Sequence, residues 1–252
     1  MTAVKLDVAM RSDRGVVRQN NEDAIGGDSK VGLLILADGM GGANAGEVAS
    51  NLAVDLLVNQ LLVGPDLADR ALDGLQLLQA IQDVNEAIVE LAGQVPEYHG
   101  MGTTLVVGLL QPQSLIYAHV GDSRLYRLRQ GILEQLTSDH TLLQELVKFG
   151  EFPSIEAAIT AGVPQNVLSR AFGCDSEVEI DFAETDVLPG DLFLFCSDGL
   201  TNMVSDDEIR AILKTDTSDL MVQVDSLIES ACDHGGVDNV SVILARIHKN
   251  QA

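Results

Sequence analysis

A layered α+β fold built on antiparallel sheets is the architecture this sequence predicts, and three observations predict it. Short apolar runs follow one another through tight turns, as in TTLVVGLL–QPQ–SLIYAHVGD and RLYRLR–QG–ILEQLT. Helical spacing is confined to separate blocks within 46–62, 77–91, 141–161 and 220–231. No regular strand–helix–strand alternation links these blocks, which sets the chain apart from parallel doubly wound folds.

Taken in order, Val4, Leu6, Val8 and Met10 alternate as in a half-buried strand, and a second strand covers Val31 to Ala37. Ala49, Leu52, Ala53 and Leu56 then repeat at helical spacing. Leu77, Ile81, Val84, Ile88 and Leu91 give a long amphipathic helix that Gly93 and Pro96 stop. The two hairpins quoted above follow. From Thr141 to Ala161 the pattern is helical, broken at Gly150 and Pro153. VEIDFAET and DLFLFCS read as strands joined near Pro189-Gly190. Ser205 and Glu208 form a capping-box signature, Leu220 to Ala231 a helix stopped by Gly235-Gly236, and VSVILARI a last strand. There is no internal repeat and no low-complexity linker, so residues 1–252 are expected to form one domain.

Composition narrows the class. Apolar residues are 46% of 252, enough for a sizeable core, and with aromatics at 4% and no Trp that core is expected to be aliphatic. Fifteen Lys and Arg against 38 Asp and Glu leave a net charge of −23, which repels nucleic acid and anionic lipid. The densest basic run, Arg124, Arg127 and Arg129, alternates along a strand rather than forming a patch. Three cysteines without paired spacing fit a reducing cytosol, and Cys196 reads as core filling. No apolar run reaches the roughly 18 residues that span a bilayer. A soluble cytoplasmic protein is the expectation.

The chemistry is suggested by carboxylates at the edges of buried elements. An apolar run, Leu33 to Ala37, ends at Asp38 and falls into Gly39, Gly41 and Gly42. Asp122 follows LIYAHVG, Asp198 follows LFLFCS, Asp238 precedes NVSVIL, and Glu22 and Asp23 precede the second strand. One such Asp is an ordinary turn or cap. Five repeats of the arrangement point to a shared purpose. Carboxylates gathered together repel and perturb one another, and a divalent cation removes the conflict. An all-oxygen ligand set suits Mg²⁺ or Mn²⁺, and His99, His119, His140, His234 and His248 show no ligand spacing. Two such ions suit phosphoester hydrolysis. From position alone Arg18 reads as a surface charge rather than a phosphate ligand.

The motifs SDRGVVRQNNEDA, ADGMGGANAGEVAS, GMGTTLVV, HVGDSRLYRL, LTSDHT, NVLSRAFG, LPGDLFLFCSDGL and GGVDNVSVIL run in order over nearly the whole chain. In them the sequence resembles the bacterial metal-dependent serine/threonine protein phosphatases of type 2C. The resemblance implies a central sandwich of two antiparallel sheets flanked by helices (αββα), with a small flap subdomain at about 141–169 beside the cleft. It implies that Asp38 bridges two metals, that Asp198 and Asp238 complete the first site, and that the Gly39 carbonyl binds the second. Glu22 and Asp23 would hold metal-bound waters, Arg18 the substrate phosphate, and Asp122, with Asp198, a third and weaker ion. Asn239 would support the Asp238 loop. One departure stands out: Ala43 takes the place, directly after DGMGG, of a histidine that protonates the leaving alkoxide in many bacterial members.

The expected activity is hydrolysis of phosphoserine and phosphothreonine on proteins by direct attack of a metal-bridging water. Its partners would be phosphorylated proteins, substrates of a serine/threonine kinase in bacterial signalling, and the enzyme a monomer that binds neither nucleic acid nor membrane. The alternatives are a hydrolase of small phosphoesters and a phosphoprotein-binding regulatory module that has lost catalysis.

Overall fold

The computed structural model describes residues 6–41, 45–62 and 72–248. Strands β1 (Leu6–Asp13), β2 (Asp23–Asp28) and β3 (Leu33–Met40) come first, then helices α1 (Ala45–Leu62) and α2 (Gly74–Gln94). Next are β4 (Gly102–Thr103), β5 (Leu105–Leu110), β6 (Ser114–Val120), β7 (Arg124–Arg129) and β8 (Ile132–Gln135). Short helices α3 (Leu142–Lys148) and α4 (Ile155–Thr160) precede β9 (Asp181–Asp186) and β10 (Leu192–Cys196). Helices α5 (Asp198–Thr201), α6 (Asp206–Leu213) and α7 (Leu220–Asp233) lead into β11 (Val240–Ile247).

The strands make two antiparallel sheets, one ordered β1-β11-β10-β7-β8 and the other β2-β3-β5-β6-β9, with β4 paired to β3. Strand periodicity explains how they stack. Leu34 and Leu36 of β3 and Val106 of β5 meet Phe193, Phe195, Ile243 and Ala245 of the other sheet in one core between the sheets. The alternate residues Leu33, Ile35, Ala37, Leu105 and Val107 face outward against α1 and α2. Leu192, Leu194, Cys196, Val242 and Leu244 face outward against α6 and α7. Central strands covered on both faces must be apolar throughout, which is why β3, β5 and β10 read as continuous apolar runs. The expected αββα sandwich is what these layers form. The core is mainly aliphatic, although Tyr126, Phe172, Phe193 and Phe195 are its largest fully buried side chains.

Local signals explain most boundaries. Asp73 and Ser205 close capping boxes at the starts of α2 and α6. Several features differ from the sequence reading. Strand β2, DAIGGD, was not expected, because its glycines break the apolar alternation. Gly26 is there because α1 packs on it: a Cβ would lie 2.5 Å from Val54. β3 runs on to Met40, so Asp38 lies within a strand rather than after one. The segment VEIDFAET is a strand only from Asp181 onward. Val4 of the first expected strand and Ala43 lie outside the described residues.

The basic run on β7 is neutralised by carboxylates. Arg124 forks onto Asp139, Arg127 reaches Glu134 and Asp186, and Arg129 bridges Asp186 and buried Asp191.

Candidate active site

The inner faces of the two sheets are apolar along most of their length and turn polar at one end. On β3 the inward series Leu34, Leu36 continues to Asp38, and directly opposite on β2 stands Asp23. From the other sheet, Ser197 follows β10 and Ser241 lies in β11. The Ser197 hydroxyl donates to Asp23 Oδ2 at 2.9 Å, and the Ser241 amide donates to Ser197 Oγ at 2.9 Å. A carboxylate thus ends the apolar run of β3 because the apolar interior layer of the sandwich ends there too.

The backbone around Asp38 is held tightly. Its N–H donates to Thr104 Oγ1 at 3.0 Å, and its carbonyl accepts from the Thr104 amide and the Thr103 hydroxyl. Thr104 Oγ1 also bonds Ser123 Oγ at 2.7 Å, tying the Asp38 strand to the turn that carries Asp122. Gly39 permits a close approach: a Cβ there would lie 2.2 Å from the Gly46 carbonyl and 2.6 Å from that of Glu22. Asn239 is the clamp of the neighbouring loop. Its side chain accepts from the Glu22 amide and donates to the carbonyls of Arg14 and Asn20. Asp198 opens α5, where Asn202 donates to it at 3.1 Å.

A solvent-open cleft of about 280 Å³ results, with Glu22, Asp38, Asp122, Asp198 and Asp238 on its walls alongside Arg18, Gly39 and Asn166. Seven of the eight candidate site residues therefore line one cleft. The eighth, Asp23, is buried behind Asp38 and does not reach the cleft wall. Arg18 Nη2 pairs with Asp238 Oδ2 at 2.7 Å and remains about half exposed. Asn166 and Leu168, from the stretch after α4, close one side.

The electrostatics are those of crowded acids in a low-dielectric wall. Burial pushes the Asp38 carboxyl well above its ordinary value, and Asp23, Asp198, Asp122 and Asp238 push it further. Burial, with a contribution from Asp198, raises Asp122 to about 7; burial alone dominates the rise of Asp23 to about 7. Asp198 is raised by burial and by Asp238, and Glu22 by burial, with Arg18 opposing and Asp238 adding to the rise. Asp23 Oδ1 is buried without a hydrogen-bond partner. Oxygen donors, mutual repulsion and an orphaned buried oxygen next to the cluster are what a hard divalent cation would relieve. The residues fit such an ion.

Another group of potential ligands is formed by His119, His140 and Asp181, which sequence spacing gave no reason to connect. Strand pairing sets His119 opposite Asp181, and the two imidazoles stack with centroids 4.7 Å apart. Chemistry argues against a metal here. The Gly121 amide donates to His140 Nδ1 at 3.1 Å, so the proton of the neutral ring sits on Nε2, the atom facing Asp181. The Arg170 guanidinium already occupies the cation position, 2.7 Å from Asp181 and 3.3 Å from His140. The His140 carbonyl accepts from Ser169 and its amide donates to Gly121. The cluster is a clasp between the Asp122 turn and the stretch that supplies Asn166 and Leu168.

Known proteins share this architecture. The family profile described as Protein phosphatase 2C matches residues 14–229. The chain is 40% identical over 237 residues to the serine/threonine phosphatase stp of Listeria monocytogenes serovar 1/2a, covering 93% of each chain. It is 37% identical over 251 residues to the protein phosphatase PhpP of Streptococcus pneumoniae strain D39, covering 98% of this chain and all of that one. Among solved structures, the Mycobacterium tuberculosis serine/threonine phosphatase PstP superposes with a TM-score of 0.85 at 39% identity, covering 98% of this chain and 100% of that one. The catalytic domain of PstP in complex with two manganese ions matches with a TM-score of 0.84 and the same identity and coverage. With the family profile over residues 14–229 and relatives and folds matched along nearly its full length, the chain belongs to the protein phosphatase 2C family.

Proposed function

We propose that the acidic cleft hydrolyses phosphoserine and phosphothreonine on proteins, with Mn²⁺ or Mg²⁺ held by its carboxylates. The chain is a metal-dependent serine/threonine protein phosphatase. The observation that carries the reading is the convergence of Asp38, Asp198, Asp238, Asp122, Glu22 and Arg18 from both sheets on one cleft.

In this reading Asp38, Asp198, Asp238 and the Gly39 carbonyl would hold the ions, with Asp38 shared between two of them. Asp122 with Asp198 offers a third, weaker position. When bound, the ions supply an activated water and Lewis-acid stabilisation of the phosphoryl oxygens. The chain's own residues do the rest. Thr103, Thr104 and Ser123 fix the strand and the turn that present Asp38 and Asp122. Asn239 holds the Glu22 backbone beside the cleft, where the Glu22 carboxylate would orient water. Asp23, one step behind, steadies the polar layer through Ser197 rather than touching the cleft directly. Arg18 stands at the mouth with its guanidinium partly exposed and can fork onto two phosphate oxygens.

The finer assignments belong to the same proposal. The whole chain acts as one catalytic domain, with 141–169 as a flap beside the cleft. The substrates are proteins phosphorylated by a serine/threonine kinase, the enzyme is monomeric and cytoplasmic, and it engages neither nucleic acid nor membrane. The net charge of −23 supports the last point, and no described helix is long and apolar enough to cross a membrane.

Arg18→Ala tests the substrate role. A charge-assisted hydrogen bond contributes about 1.5–3 kcal/mol, so kcat/KM for a phosphopeptide should fall by about 10- to 100-fold. Most of the loss should appear in KM, while Mn²⁺ affinity holds or rises because Asp238 loses its ion-pair partner. Steady-state kinetics with calorimetry decides it: an unchanged KM in a folded variant returns Arg18 to an ordinary surface charge.

A further inference from the structure

The residues on either side of Asp122 are both pinned, and one of the pins is a side chain outside the cleft. Ser123 Oγ is held by Thr104 Oγ1 at 2.7 Å. Gly121 turns with a φ of +101°, and a Cβ on it would lie 2.7 Å from Thr104 Cγ2, so no side chain of its own can steady this position. His140 steadies it instead, from the motif LTSDHT, none of whose residues is on the cleft wall. The His140 amide donates to the Gly121 carbonyl at 2.9 Å, and His140 Nδ1 accepts from the Gly121 amide at 3.1 Å. Both backbone groups of the residue before Asp122 therefore end on His140.

The ring is prepared for this. It is 3% exposed and stacks on His119 with 20° between the planes, and His119 Nε2 lies 2.9 Å from the Ser138 carbonyl. The far nitrogen, His140 Nε2, faces Asp181 at 3.5 Å, and Asp181 is fixed by Arg170, which also pairs with Glu179 at 2.9 Å. A carboxylate beside Nε2 keeps the proton of the neutral ring there and leaves Nδ1 free to accept.

We propose that His140 is a positioning residue: its Nδ1 fixes Gly121 and so aims the Asp122 carboxylate at the weaker ion position that Asp122 shares with Asp198. The inference rests on the ion assignment given above. The backbone bonds from His140 to Gly121 and Ser169 survive a change of side chain, so the acceptor nitrogen is what a substitution removes. A ring that only filled space would matter equally whichever of its nitrogens a replacement imitated.

Two variants separate the nitrogens. His140→Asn can place an amide oxygen where Nδ1 stands, whereas His140→Gln reaches the place of Nε2 and leaves the Gly121 amide without an acceptor. Both replacements are uncharged and both lose the stack on His119, so that cost is common to them. Hydrogen exchange at the Gly121 amide of the metal-free protein, calorimetric titration with Mn²⁺, and the Mn²⁺ concentration for half-maximal turnover are measured on the wild type, on both variants and on Asp122→Asn. His140→Gln should speed exchange at Gly121 by about 10-fold. It should also weaken the last Mn²⁺ to bind by about 10-fold, as expected when the partner that orients a ligand is lost, and leave the tighter ions unchanged. His140→Asn should stay within about twofold of the wild type in each measurement. Equal losses in the two variants, failure of both to fold included, would make the ring a space filler and overturn the proposal. Wild-type exchange and wild-type Mn²⁺ dependence in His140→Gln would overturn it as well. Unchanged Mn²⁺ binding and dependence in Asp122→Asn would instead break the ion assignment, and this proposal with it.

Discussion

Asp38→Asn should lower phosphate release by about 10³-fold and, at the same time, raise the melting temperature of the metal-free protein at pH 7. The first effect follows from the proposed double role of the side chain. Removing one group that stabilises developing charge typically costs about 10²–10³-fold, and a ligand shared by two ions belongs at the upper end. The second effect follows from the electrostatics. Asp38 is partly buried and faces Asp23, Asp198, Asp122 and Asp238, which all raise its carboxyl. An amide of the same shape removes the charge and keeps the hydrogen-bonding volume, so the repulsion is relieved. Active-site residues that lower stability are the expected signature of function. Calorimetric titration with Mn²⁺ should also show fewer ions bound. A variant with wild-type stoichiometry and wild-type turnover would remove Asp38 from the metal site.

The second large effect is a pH-dependent stabilisation by metal. Asp23 and Asp122 stand at about 7, against an ordinary carboxylate near 4. A carboxyl raised in the folded state contributes stability that is fully present below its unfolded pKa and is lost as pH rises through the folded value. Between about pH 4 and pH 7 each such group therefore destabilises the metal-free protein by up to about 1.4 kcal/mol per pH unit. His119 and His140 work in the opposite direction. Burial lowers both, His140 to about 4 with His119 adding to the effect, so the unfolded chain takes up their protons first as pH falls. Comparing the protein with and without Mn²⁺ cancels the histidine contribution, because it is common to both. A metal ion competes with protons only at the carboxylates. The rise in melting temperature on adding Mn²⁺ should then be several-fold larger at pH 7 than at pH 5. An equal rise at both pH values would mean that the ion does not bind the cluster with raised carboxyls.

Which parts of this could be read from the sequence follows physical lines. Strands such as β3, β5 and β10 are covered on both faces, so their continuous apolar runs announced them. The carboxylates were visible because an acid beside a glycine at the end of such a run has few structural reasons to recur. β2 was hidden because Gly26 and Gly27 serve the packing of α1 and a close approach to Leu33, not the period of a strand. α5 was hidden because four residues carry no helical period. The layer beneath Asp38, made of Asp23, Ser197 and Ser241, depends on strand register between two sheets, and no local pattern reports it. The same holds for His119, His140 and Asp181, which lie 21 and 41 residues apart and meet only through pairing of β6 with β9 and the turn at Gly121.

The central claim is that one acidic cleft, loaded with a divalent cation, cleaves protein phosphoesters. The most direct measurement is phosphate release from a phosphothreonine protein by enzyme stripped with EDTA and verified metal-free, before and after adding Mn²⁺. The stripped enzyme should show no turnover and recover fully on addition of Mn²⁺, while Asp38→Asn with Mn²⁺ should stay about 10³-fold below the wild type. Full turnover by the verified metal-free protein would contradict it.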